Sequence, residues 1–105
     1  MKKEERLAVL QLMAVFEKHR RINKLSQGQW QVLFHLAGNE SRKEQGQRPF
    51  PPLTDQMSLK SLNYQYKNLI KKGFLQKNAN GYSLTDQANK MFKEAFNDPG
   101  TEFNL

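Results

Sequence analysis

Residues Met57 to Thr85 read MSLKSLNYQYKNLIKKGFLQKNANGYSLT, and the fold turns on this stretch. Projected at a helical period, Leu59, Leu62, Tyr66, Leu69 and Ile70 fall on one stripe. Lys60, Ser61, Tyr64, Lys67, Asn68 and Lys71 fall on the opposite face, with Asn63 and Gln65 flanking it. Ser58 is a helix-capping residue, and Gly73 suits the left-handed residue that ends a helix. Phe74 after that glycine can pack back on Leu69. The pattern predicts a helix over 58–73 and a β-hairpin over 74–84, with strands Phe74 to Lys77 and Tyr82 to Leu84. The joining residues, Asn78-Ala79-Asn80-Gly81, contain the Asn-Gly hairpin signal. No Asp or Glu occurs from Gln56 to Thr85, against five lysines: Lys60, Lys67, Lys71, Lys72 and Lys77. A merely solvated helix mixes both signs, so this face is suited to a polyanion.

The whole chain agrees in sign. Its 105 residues suit one domain, expected over 1–97, and its net charge of +7 favours an anionic partner, nucleic acid before membrane. There is no cysteine, which excludes disulfides and thiolate metal sites. The longest apolar run, Leu7 to Phe16, is interrupted by Gln11 and falls well short of the roughly 20 residues that span a bilayer. Glu4 and Glu5 precede it and no small-residue cleavage site follows, unlike a signal peptide. A cytoplasmic protein is expected.

Upstream, Lys3 to about Ile22 reads as a long helix whose apolar residues cover more than one stripe. One face would pack internally and the other against a second subunit, making 1–22 a dimerisation helix. Leu7, Val9, Leu10, Met13 and Phe16 are its candidate interface residues. A helix wrapped on both sides by its own chain is the alternative. Ser26 and Gln29 form a capping box, with Leu25 and Trp30 as a hydrophobic staple. The second helix would follow and stop at Gly38-Asn39, leaving Asn39 to Pro52 as a fourteen-residue polar loop. Thr54 would cap a short turn, Asp55 to Met57. Thr85 would cap a last helix over 85–97, with Ala88, Met91, Phe92, Ala95 and Phe96 buried, before a flexible tail over 98–105. His19 and His35 have no second ligand at metal spacing, and there is no nucleophile–base motif or Gly-rich phosphate loop. An enzyme is therefore not expected, nor a metal or cofactor.

Three passages resemble the MarR-like winged helix-turn-helix regulators. LSQGQWQVLFHL is similar to their second helix. MSLKSLNYQYKNLIKKGFL is similar to their recognition helix, from the Ser58 cap to Lys72-Gly73-Phe74-Leu75. GYSLTDQANKMF is similar to their junction from second wing strand to last helix, with Gln87 at the usual place of a glycine. Together they cover about half the chain. The helix before Ser58 is compressed to about one turn, and the hairpin tip carries amides where many members have Asp and Arg. In length the chain is nearer to PadR and ArsR-type regulators.

The resemblance implies a mainly α fold with a small β-hairpin wing, in the order α-α-(short α)-α-β-β-α. It also implies a homodimeric transcriptional regulator, more often a repressor, bound to double-stranded DNA. A recognition helix entering the major groove N-terminus first would bring Lys60, Ser61, Asn63, Tyr64 and Gln65 to base edges. Lys67, Asn68, Lys71 and Lys72 would grip phosphates. Lys77, Asn78 and Asn80 would contact the flanking backbone or minor groove. No effector ligand follows from these residues. Two alternatives stay open: a winged helix used for protein contact, and a replication, partition or phage accessory DNA-binding role.

Overall fold

The computed structural model describes residues 2–101, Thr101 by its backbone alone. The described residues form four α-helices and one small antiparallel sheet. The helices are α1 (Lys3–Ile22), α2 (Gln27–Glu44), α3 (Leu59–Lys71) and α4 (Asp86–Phe96); the strands are β1 (Leu75–Asn78) and β2 (Gly81–Leu84). Two 3-10 turns, Leu53–Asp55 and Pro99–Thr101, complete the order. Two compact units result. One comprises Met1–Leu25 with Lys90–Leu105, and the other Ser26–Asn89.

In the unit Ser26–Asn89, local chemistry sets most boundaries. Ser26 Oγ accepts from Gln29 N at 3.1 Å, and Gln29 Oε1 accepts from Ser26 N at 3.0 Å, so the capping box forms as expected. Such a cap stabilises a helix by about 1 kcal/mol. Ser58 caps α3 in the same way, accepting from Ser61 N at 3.1 Å. At the other end of α3, Gly73 adopts φ +86°. Phe74 N donates to Leu69 O and Gly73 N to Ile70 O, the paired bonds of a Schellman stop. Thr85 ties this stop to α4: its Oγ1 donates to Gly73 O at 2.6 Å and accepts from Ala88 N at 3.3 Å.

The second helix does not stop at Gly38-Asn39. α2 continues to Glu44 and ends at Gln45, with Gly46 in the left-handed region at φ +69°. Gly38 has a tertiary reason instead of a terminal one: a Cβ there would lie 2.8 Å from the ring of Phe50. The expected fourteen-residue loop thus shrinks, and what is left folds back on the helix end. Phe50 N donates to Asn39 Oδ1 at 2.8 Å, and Arg42 Nη1 to Arg48 O at 3.0 Å. The Arg42 guanidinium sits 3.8 Å from the centre of the Phe50 ring.

The short turn before α3 also begins earlier than the Thr54 cap predicts. Asp55 N donates to Pro52 O and Gln56 N to Leu53 O, and buried Leu53 anchors the turn. Leu62 and Leu69 of α3 are buried with Val32 and Leu33 of α2, Phe74, Leu75, Leu84 and Ala88. The hairpin register pairs Leu75 with Leu84, Gln76 with Ser83, Lys77 with Tyr82 and Asn78 with Gly81. Ala79 and Asn80 are therefore the turn residues, one position before the Asn-Gly pair. Asn80 N donates to Asn78 Oδ1 at 3.1 Å, an Asx-type turn that stands in for the left-handed asparagine. The positive φ falls on Gly81, at +131°.

In the other unit, α1 spans the predicted residues and ends in a second Schellman stop. Lys24 takes the left-handed position at φ 55°, and Leu25 N donates to Arg20 O. Val15, His19, Leu25, Met91, Phe92 and Ala95 are buried. Phe96, expected in the buried stripe, is 57% exposed, with its ring edge-on to Phe16 at 5.2 Å. The expected tail is held at its start. Asp98 Oδ2 pairs with His19 Nε2 at 2.8 Å and Lys18 Nζ at 3.0 Å, and Oδ1 accepts from Gly100 N at 2.9 Å. A Cβ on Gly100 would meet Val15 at 2.7 Å, so glycine lets this turn lie directly on α1. Residues 102–105 of the tail lie outside the described residues.

Candidate nucleic-acid interface

The polar face of α3 is presented by its buried one. Leu62 and Leu69 turn inward, and Lys60, Asn63, Tyr64, Lys67 and Lys71 are left exposed. The amphipathic split is imperfect. Leu59 and Ile70, assigned to the inner stripe by periodicity, are 63% and 40% exposed. Leu59 sits in the first turn, where little packs over it, and Ile70 lies at the margin of the stripe beside the hairpin.

An open depression of about 760 Å³ lies between α3 and the hairpin. Ser58, Lys60, Ser61, Asn63, Tyr64, Lys67 and Ile70 line it from α3 and its cap, and Lys77 and Tyr82 from the strands. The Lys77–Tyr82 cross-strand pair places both residues on this face. Tyr82 is fixed by stacking on Tyr66, centroids 4.1 Å apart and planes at 16°. Burial, with a smaller contribution from Tyr82, pushes the Tyr66 hydroxyl above its ordinary range. Three lysines and no carboxylate border this concavity. Such a surface can offer cations to an anion and ring faces to a planar group.

Of the twelve residues expected to meet DNA, six gather around the depression: Lys60, Ser61, Asn63, Tyr64, Lys67 and Lys77. Six do not line it. Gln65 is half-buried beside Gly28, whose missing Cβ would lie 3.0 Å from its Nε2, and its Oε1 is enclosed without a hydrogen bond. Asn68 is half-buried and Lys71 exposed. Lys72 Nζ donates to Gln29 Oε1 at 2.8 Å, a link between α3 and α2. Asn78 Nδ2 donates to Ser83 Oγ at 3.1 Å while its Oδ1 serves the turn, so its side chain braces the hairpin. Asn80 is exposed at the tip.

Sequence reasoning missed Ser58, Ile70 and Tyr82 as lining residues. Tyr82 was the most accessible of the three to inference, because strands ending at Lys77 and starting at Tyr82 pair these two residues across the turn. Comparison of the chain with protein-family models, curated proteins and solved structures returns no match.

No group of three or more metal-ligating side chains occurs among the described residues. His35, expected to be an ordinary helix residue, accepts from Asn39 Nδ2 at 3.1 Å through its Nε2. Burial lowers its proton affinity, which suits that neutral acceptor role. No described helix is long and apolar enough to cross a membrane. On α1, Leu7, Leu10 and Met13 are 48%, 58% and 61% exposed, and Val9 44%. Phe16, the fifth expected interface residue, is half-buried against Phe96.

Proposed function

We propose that the chain is a winged helix-turn-helix protein of MarR-like type that binds double-stranded DNA as a homodimer and regulates transcription, as a repressor by occluding a promoter. The carrying observation is the acid-free concavity in which α3 and the hairpin present Lys60, Lys67 and Lys77 together. In this reading α3 is the recognition helix, entering the major groove from its Ser58 end. Lys60, Ser61, Asn63 and Tyr64 then lie nearest the bases, where lysine suits guanine and asparagine suits adenine. Lys67 and Lys71 meet phosphates, and Lys77 on the wing meets the flanking backbone. Gln65, Lys72 and Asn78 act indirectly, by bracing the elements that carry the contacts.

A symmetric dimer implies a palindromic site with half-sites about 10 base pairs apart. Selection of bound sequences from a random duplex pool tests this. Enrichment of an inverted repeat at that spacing supports a regulator, and a bound pool with no enriched sequence would reject sequence-specific regulation.

A second reading has one observation in its favour. Leu59, Ile70 and Tyr64 add exposed apolar surface to the same face. A face that mixes these with lysines also suits an acidic protein partner with apolar anchors. Failure of the selected DNA to bind, with retention of such a partner, would favour it.

A further inference from the structure

The exposed face of α1 is symmetric about one residue. Lys3, Leu10 and Glu17 recur every seven residues and form its centre line. Leu7 and Ala14 flank this line on one side, Arg6 and Met13 on the other. All but Glu17 are exposed, and the Glu17 carboxylate is 41% exposed. Lys3, Arg6, Leu7 and Leu10 border an open depression of about 400 Å³, with Glu4 at its edge. Residues at i, i+3, i+4 and i+7 make the four-cornered hole into which a facing helix inserts a side chain.

Charge selects the direction of a facing helix. In a parallel pair, Lys3 would meet Lys3 and Glu17 would meet Glu17. In an antiparallel pair centred on Leu10, Lys3 meets the partner's Glu17, and residues of the same flank face each other, so Leu7 meets the partner's Ala14. Arg6 meets the partner's Met13, at the edge of the hole bordered by Lys3, Arg6, Leu7 and Leu10. Arg20, hydrogen-bonded to Glu17, holds that carboxyl down to about 2, so it is ionised at neutral pH. Arg21 faces no residue of the partner's α1 in this register.

We propose that α1 pairs with α1 of a second copy, antiparallel and crossing at Leu10, with Lys3 of each copy beside Glu17 of the other. The proposal rests on the homodimer reading above and adds its geometry. It also relocates the interface expected from sequence: Leu7, Leu10 and Met13 stay at its centre, joined by Lys3, Arg6, Ala14 and Glu17. Val9 moves to its edge, and Phe16 is occupied by Phe96 within its own chain.

The absence of native cysteine makes cross-linking a clean test on the full chain. Helices packed about 8–10 Å apart bring facing Cα atoms into the roughly 4.4–6.8 Å range of a disulfide. Under mild oxidation, Leu10→Cys should cross-link to itself. Leu7→Cys and Ala14→Cys should each stay uncross-linked alone and cross-link when mixed. Self-cross-linking of Leu7→Cys would mean a parallel pair and overturn the proposal. A dimer by sedimentation that none of these variants cross-links would overturn the register and leave the homodimer standing. A monomer at every concentration would overturn both. Lys3→Glu should weaken association about fivefold, two pairs being lost per dimer, and Lys3→Arg, which keeps the cation and leaves Glu17 bonded to Arg20 and Arg21, should retain it. Retention by Lys3→Arg distinguishes the pairing from simple damage to the helix, and an equal loss in both variants would count against the register.

Discussion

The ring of Tyr66 on α3 stacks on the ring of Tyr82 on β2, 4.1 Å apart and nearly parallel, and this contact sets the hairpin against the helix. Tyr82→Ala removes the stack and part of the wall of the depression. The expected cost is about 2 kcal/mol by urea denaturation, combining truncation of a half-buried ring with loss of the aromatic pair. Tyr82→Phe keeps both rings and should stay within about 0.5 kcal/mol of the parent. An equal loss in both variants would show that the hydroxyl, not the stack, matters.

Gly38 and Phe50 are coupled through the space a Cβ would need. In an exposed helix Gly→Ala gains about 1 kcal/mol. Here Gly38→Ala should gain nothing, because the new methyl pushes Phe50 away from Arg42 and Asn39. In a Phe50→Ala background the same change should recover the full gain. A double-mutant cycle by thermal unfolding measures this, and additivity would disprove the contact.

Gly73 holds φ +86°, and a Cβ there would meet the Gln87 side chain at 2.6 Å. Gly73→Ala should cost about 1–2 kcal/mol, since the helix stop needs a left-handed residue. Circular dichroism melts would detect it. An unchanged melting temperature would mean that the stop can form another way.

Asp98 should contribute to the acid sensitivity of the unit that holds α1. The Gly100 N–H, then His19 and Lys18, hold its carboxyl well below the usual carboxylate range. A depressed folded-state pKa stabilises above the unfolded value, 3.8, and the benefit disappears as pH falls below it. Glu17, held at about 2 chiefly by its hydrogen bond from Arg20, titrates in the same direction. Stability of the parent should therefore fall as pH drops from about 5 toward 2, and Asp98→Asn should flatten part of that fall. A variant with the same acid profile as the parent would remove Asp98 from this role.

Much of this architecture was legible because its causes are local. Ser26, Ser58 and Thr85 cap helices whatever surrounds them, and Gly73 stops α3 through its own backbone. The departures have distant causes. Gly38 looked like a helix end because its ring neighbour, Phe50, lies twelve residues away in sequence. Asp98 looked like part of a tail because its partners, Lys18 and His19, lie near the other end of the chain. The lysine face of α3 could be read from periodicity, whereas the contribution of Tyr82 depends on hairpin register. Gln65, Lys72 and Asn78 could be read as polar but not as occupied, since their neighbours come from other turns and helices.

In the proposed function, the face shared by α3 and the hairpin grips a nucleic-acid backbone. The most direct test is the salt dependence of binding to a labelled duplex, for the parent and for Lys67→Ala with Lys77→Ala. With about six phosphates neutralised, log affinity should fall against log salt with a slope near −5. Removing both lysines from each protomer of the dimer should make that slope shallower by about 3.6. A duplex that is not retained at low salt, or a slope unchanged by the double substitution, would contradict the account.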